Sequence, residues 1–327
     1  MNKRTSTRGG ALLAVLWLTA ALTAIAFSLA NSVRAETERV ATSSDGTRAY
    51  YLASGSIERA LTWMSWVGQG NPDGSPKYYA PGMPGFRYSY PSGEVLVELI
   101  PEASKININT ASKEDLYRLM LAVGADQQRA QMLTAAIIDW RTTIGPQQVS
   151  QFDQFYLARP QSFRSPHASF EEIEQLALVQ GMTQELFHGS WRRTPEGNYF
   201  PLPGLKDCLS VYSQGGQFDA NTVSTAILKF INLPDELITV FLQRRAQLPF
   251  KNMQQVTEIL QGHPAAGRLR IGGEISWTVR ATATTRAASG QLTDVRRSVA
   301  AVVKFPLNPT TPVPYTIMRW YDNAGTR

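Results

Sequence analysis

The chain has 327 residues and carries 32 Lys+Arg against 26 Asp+Glu, a formal net charge of +6. Hydrophobic residues make up 43% and charged residues 18%, which describes a folded chain of two or three domains and excludes intrinsic disorder. A single cysteine excludes an internal disulfide framework and a Cys-based zinc site, while the basic balance raises nucleic acid or a membrane as partners.

Residues 1–9 are polar and basic, and Ala11 to Ala30 then run uncharged for 20 residues. As a helix that run is about 30 Å long, the thickness of a bilayer core. Lys3, Arg4 and Arg8 on its N-terminal side direct that end to the cytoplasm and the rest of the chain across the membrane. Three readings fit: a plain anchor, a signal peptide cut after Val33-Arg34-Ala35, and a leader cut beside Gly9 and Gly10 that leaves the apolar helix in the mature protein. Leu52, Ile57, Leu61 and Met64 continue at helical spacing, with Asp45-Gly46 as the expected bend.

Residues 68–93 hold 6 Gly and 5 Pro, so a loop is expected there, with its tyrosines and Phe86 as packing anchors. Glu94 to Ile100 reads as a strand. Thr110 or Ser112 then opens a helix with Leu116, Leu119, Met120 and Val123 on one face, stopped by Gly124. Ala130, Leu133, Ile137 and Trp140 mark its partner, completing a helical hairpin. The same grammar returns at Asn221-Thr222, and the pairs Asn109-Thr110 and Asn221-Thr222 predict an internal duplication. Between the copies, Ser169 to Leu176 reads as another capped helix. Ile275–Thr285 and Leu292–Phe305 read as strands around a turn at Ala288–Gln291, and Tyr315–Tyr321 as an edge strand.

No catalytic constellation is present. His167, His188 and His263 are scattered, so no metal site is expected and no cofactor, with a loop-bound Ca²⁺ left open. Cys208 reads as a buried strand residue. The hairpin at Leu121–Ala130 resembles helix-hairpin-helix DNA-binding modules, in which turn amides meet a phosphate. Residues 105–145 set five cations against four carboxylates and residues 216–260 four against four, too little charge for a phosphate-binding surface. Nucleic acid is therefore not an expected partner, and a membrane-anchored DNA-binding protein is the alternative function.

Four features together resemble the type II secretion system minor pseudopilin K family. They are the start Arg8-Gly9-Gly10-Ala11-Leu12-Leu13-Ala14-Val15-Leu16; Ala49 to Gly55 in the helix beyond the membrane; the two Asn-Thr starts with Asp139-Trp140-Arg141 closing the first hairpin; and Tyr156, Pro160, Ser169, Glu172, Leu176, Val179, Gly181 and Met182 between the copies. The resemblance implies an α+β fold: a long N-terminal transmembrane helix and a pilin-like antiparallel sheet head with inserted SAM-like helical-hairpin modules. It implies a prepilin leader over 1–9, membrane and periplasmic helix over 10–33 and 34–66, loop and first strands over 67–104, helical modules over 105–204 and 205–268, and closing strands over 269–327. By resemblance, prepilin peptidase cuts after Gly9, with a cut after Gly10 left open, and Gly10 becomes the methylated N-terminus. Ala14 stands where most pseudopilins have glutamate, as in other K members. The implied protein is not an enzyme. It sits in the inner membrane with its bulk periplasmic, and caps the pseudopilus with minor pseudopilins I and J and the other pseudopilins. Removing the leader would lower the net charge to +3, so the basic pI is largely a topology signal.

Overall fold

The computed structural model describes residues 8–73, 75–80, 82–145, 147–193, 197, 199–214, 216–272, 275–306 and 314–324. Helix α1 (Arg8–Ser65) contains no proline and runs 58 residues without a break, about 87 Å at helical rise. In its apolar half Thr19 and Thr23 hydroxyls donate back to carbonyls three and four residues earlier, which satisfies those two donors within the helix. Farther along, Arg34–Glu38 and Arg39–Glu36 pair on the exposed helix surface. The bend expected at Asp45-Gly46 is absent. Asp45 pairs with Arg48 one turn on, and Gly46 lets the Arg297 side chain lie 3.6 Å from where a Cβ would stand.

The second half of α1 packs on a five-stranded antiparallel sheet. Strand β1 (Gly85–Tyr90) pairs with β2 (Gly93–Pro101), and the order across the sheet is completed by three C-terminal strands. Strand β1 lies inside the segment expected to be loop. Phe86, Tyr88 and Tyr90 alternate with Arg87 and Ser89, a period-two pattern that the prolines and glycines around it obscure.

After β2 the chain leaves the sheet through a 3-10 turn at Glu102–Ser104. The first module follows: β3 (Ile106–Asn107), α2 (Lys113–Ala122), α3 (Gln127–Arg141), α4 (Gln151–Leu157), a 3-10 segment at Ile173–Leu178 and α5 (Gln184–His188). A hairpin of β4 (Gly189–Arg193) and β5 (Tyr199–Pro203) leads to α6 (Leu205–Cys208) and β6 (Leu209–Ser210). The second module comprises β7 (Phe218–Asp219), α7 (Thr225–Phe230), α8 (Asp235–Gln247), α9 (Met253–Ile259) and β8 (Leu269–Arg270). The head resumes with β9 (Ser276–Arg286), β10 (Leu292–Lys304) and β11 (Thr316–Tyr321), giving the sheet order β1-β2-β9-β10-β11.

Two short parallel ladders correct the module boundaries. Ile106 pairs with Leu209, so residues 205–210 close the first module rather than opening the second. Phe218 pairs with Leu269, so 269–270 close the second module and the head's strands begin again at Ser276. The segment from Ser169 is a 3-10 turn whose N-cap, Glu172, makes no side-chain cap bond. The helix missed there is α4, held by a Ser150–Asp153 capping box.

There are two cores. In the head, Ala49, Ala53, Ile57, Ala60, Leu61 and Met64 of α1 lie buried against Val97, Leu99, Val279, Ala281, Val299 and Val303. Alanine at three of these helix positions brings the backbone close to the sheet, and each large aliphatic side chain buried contributes roughly 1.5–3 kcal/mol. The other core spans both helical modules, with α2 packed on α7. Contacts along α1 orient the whole: Gly46 meets Arg297, Ser56 meets Tyr90, and Trp63 meets Phe86. The helical insertion, entered at Pro101 and left at Ser276, therefore stands at the end of the sheet farthest from the apolar half of α1.

Candidate functional site

The feature that distinguishes this chain is the duplicated helical insertion, and its two copies match bond for bond. In the first, Asn109 Nδ2 donates to the Phe170 carbonyl (2.9 Å) and Phe170 N–H donates to Asn109 Oδ1 (2.7 Å). In the second, Asn221 Nδ2 donates to the Phe250 carbonyl (3.0 Å) and Phe250 N–H donates back (2.8 Å). Each asparagine thus acts as a strand fragment, satisfying one buried amide and one carbonyl at a distant loop.

Arginines complete each copy. Arg141 donates to the carbonyls of Ile108 and Ala111, and Arg245 to those of Ala220 and Val223. All four carbonyls belong to buried residues in the turns that carry Asn109 and Asn221. Glu171 N–H and Lys251 N–H each donate to a glutamine side chain four residues ahead, at Gln175 and Gln255. The helices themselves begin just beyond the Asn-Thr pairs: Ser112 caps α2 and Ser224 caps α7. Thr110 is exposed, while Thr222 donates to Asp219 at 3.0 Å. The Arg245 clamp and the Phe170/Phe250 partners escaped the sequence reading, because they lie at different distances from Asn109 and Asn221. The signal that marks them is Phe followed five residues later by Gln, at 170/175 and 250/255.

The histidines are not all surface groups. His167 sits in the left-handed region (φ 45°) with its Nε2 3.0 Å from the buried Asp153 carboxylate and its Nδ1 3.1 Å from the Asp139 carbonyl. Burial by itself would lower its pKa, but the bonds to Asp153 and Asp139 outweigh burial and raise it. Burial would likewise raise Asp153, and its bonds from His167, Ser150 N–H and Ser165 N–H lower it instead. His188 meets Lys206 at 3.1 Å and His263 caps a 3-10 turn. Among the described residues no group of three or more His, Cys, Asp or Glu could hold a metal ion.

Cys208 ends α6 rather than lying in a strand, fully buried, with Sγ 3.6 Å from Ser224 Oγ. Burial pushes its thiol up to about 12. A thiol that is neither ionised nor accessible does not react. The folded chain should leave a disulfide reagent such as DTNB unreduced at pH 8 and release one equivalent of thiolate only on unfolding. Rapid labelling of the native chain would show that the site opens.

The family model for "Type II secretion system (T2SS), protein K" matches residues 96–189. Over these residues the chain is similar to the type II secretion system protein K family. The match covers most of β2 and the first module through α5. A relative, the type II secretion system protein K of Pectobacterium carotovorum subsp. carotovorum, is 22% identical over 187 residues. That match covers 52% of this chain and 55% of the relative, about half the length of each. The fold is also that of a chain in the crystal structure of the GspK-GspI-GspJ complex from the enterotoxigenic Escherichia coli type 2 secretion system. There the TM-score is 0.58 at 14% identity, covering 88% of this chain and 100% of that one.

Within the two helical modules, the hairpin turns carry their own carboxylates. Asp126 caps α3 by accepting from Arg129 N–H, and Asp235 and Glu236 open α8. A helix N-terminus already met by a carboxylate does not attract a phosphate. At the other end of the chain, α1 is one helix long and apolar enough to cross a bilayer, with a window of mean hydropathy 2.2 that is wholly unburied. Gly9, Gly10 and Ala14 lie on its first turns, and residues 1–7 are outside the described residues. From Ala11 on, the first acidic residue is Glu36.

Proposed function

We propose that this chain is a minor pseudopilin at the tip of the type II secretion pseudopilus, helping to start its assembly and so protein export across the outer membrane. The observation that carries this reading is the position of the duplicated helical insertion. It occupies the end of the sheet away from the apolar half of α1. A subunit whose far end is filled by a bulky domain leaves no room for another subunit to stack above it. The absence of a carboxylate at Ala14 fits the same place, because a charge in the apolar helix is costly without a partner and a terminal subunit has none above it.

In this reading Gly9 and Gly10 flank the prepilin peptidase cut, Gly10 is the methylated N-terminus, and the mature helix stays in the inner membrane with the remainder in the periplasm. Minor pseudopilins I and J and the other pseudopilins are its partners, and the protein is structural rather than enzymatic. The deciding measurement is the intact mass of the mature chain after co-expression with prepilin peptidase. The expected product begins at Gly10 and carries one N-methyl group. A product beginning at Glu36 would mean a secretory signal peptide and end the pseudopilin reading.

A further inference from the structure

The sheet ends at β1, and this edge is open. Among the described residues no backbone group hydrogen-bonds to its outer side. Its pairing with β2 runs from Gly85↔Glu98 to Tyr90↔Gly93 with no bulge. Leu99 N–H donates to the Pro84 carbonyl, which makes Phe86↔Val97 and Tyr88↔Val95 the hydrogen-bonded pairs. The amides and carbonyls of Arg87 and Ser89 therefore point outward. Edges of this kind are usually blunted by a bulge, a proline or a charge. The opposite edge, β11, carries a bulge opposite Val302/Val303. Strand β1 has neither a bulge nor a proline, and its one charge, Arg87, repels a cationic strand but not an acidic one.

Cations and aromatic rings stand beside it. The Arg59 guanidinium lies 4.8 Å from the Trp63 ring and 4.6 Å from Tyr88, with its side chain exposed. Lys77 lies 5.2 Å from Tyr78, which packs 4.9 Å from the exposed Trp66. Arg87 is exposed on the strand itself. Carboxylates on the adjoining elements are engaged elsewhere: Glu58 with Tyr315, Glu94 with Arg286, Glu98 with Arg280, and Asp73 with Ser75. Trp, Tyr and Arg are the residue types that dominate binding energy at protein interfaces.

We propose that the β1 edge, flanked by Arg59, Lys77 and Arg87, receives an extended acidic segment of a neighbouring pseudopilin by strand addition. Outward backbone donors and acceptors recognise another backbone, and the three cations select carboxylates on it. The identity of the neighbour rests on the assembly role proposed above.

The test measures binding of the full chain, in detergent, to the purified minor pseudopilin I–J pair of the same secretion system. Ser89→Pro removes an outward amide and no ladder bond, so it blocks addition while sparing the sheet. Arg59→Glu with Arg87→Glu reverses the charge at exposed positions. Ser89→Ala is the control. Each blocking variant is expected to weaken binding by about tenfold or more, with the wild-type affinity falling as salt rises. Should Ser89→Pro fail to fold, the double arginine variant decides. If both blocking variants bind as tightly as wild type, the edge proposal is overturned and the assembly role stands. If the wild-type chain itself does not bind the I–J pair, the partner assignment falls and this proposal with it.

Discussion

Replacing Arg245 by alanine should lower the stability of the helical insertion by about 2–4 kcal/mol, read as an earlier urea transition in circular dichroism. The guanidinium spans the carbonyls of Ala220 and Val223, both on fully buried residues. Without it two carbonyls on buried residues lose a donor. Arg245→Lys should recover only part of the loss: one guanidinium nitrogen, Nη1, meets both carbonyls, and the more strongly hydrated ammonium on its flexible stem costs more to bring to the same place. The companion variant Asn221→Asp is more specific. It keeps the acceptor for Phe250 N–H but sets a carboxylate oxygen against the Phe250 carbonyl, where the amide now donates at 3.0 Å. Asn109→Asp should do the same to the first copy through Phe170. A transition for Arg245→Ala within about 0.5 kcal/mol of wild type would show that the clamp carries no net stability.

Stability should also depend on pH through His167. Both of its ring nitrogens lie within hydrogen-bond distance of acceptors, the Asp153 carboxylate and the Asp139 carbonyl, an arrangement that favours the doubly protonated imidazolium. Its folded pKa is raised above the unfolded value. The contribution is therefore fully present below about 6.5, the unfolded value, and is lost as pH rises through the folded one. Asp153, with its folded pKa lowered, contributes above its unfolded value and loses its contribution as pH falls through the folded one. His167→Asn keeps a residue that tolerates the positive φ but removes the second donor. That variant should lose about 2–3 kcal/mol at pH 6 and less at pH 9. An equal loss at both values would mean that the proton is not part of the bond.

Several elements were legible because their information is local. The apolar run of α1, the stripe Leu116, Leu119, Met120, Val123, and the repeated Asn-Thr-x-Ser turns each need only a few consecutive residues to declare themselves. The K-family resemblance rests on the order of such pieces, and the family match over residues 96–189 agrees with it. Strand β1 failed for a local reason as well: prolines and glycines on both sides swamp a short alternation. His167 failed for a non-local one. Nothing near it in sequence announces Asp153: the loop between them turns back on α4 over an aromatic cluster of Trp140, Tyr156, Phe163 and Phe170, which no local pattern shows.

An apolar helix at the start of the chain, two related helical hairpins in its middle and strands at its end can be read from periodicity and capping, which act over one or two turns. The fold adds what no local pattern holds: β2 pairs with β9 across the entire insertion, with Leu96 opposite Thr282. It likewise decided that Asn109 and Asn221 are clamps and that each module is closed by a parallel ladder. Those facts depend on contacts between residues far apart in the chain, which must overcome the entropy of closing long loops and leave no trace in any short stretch of sequence.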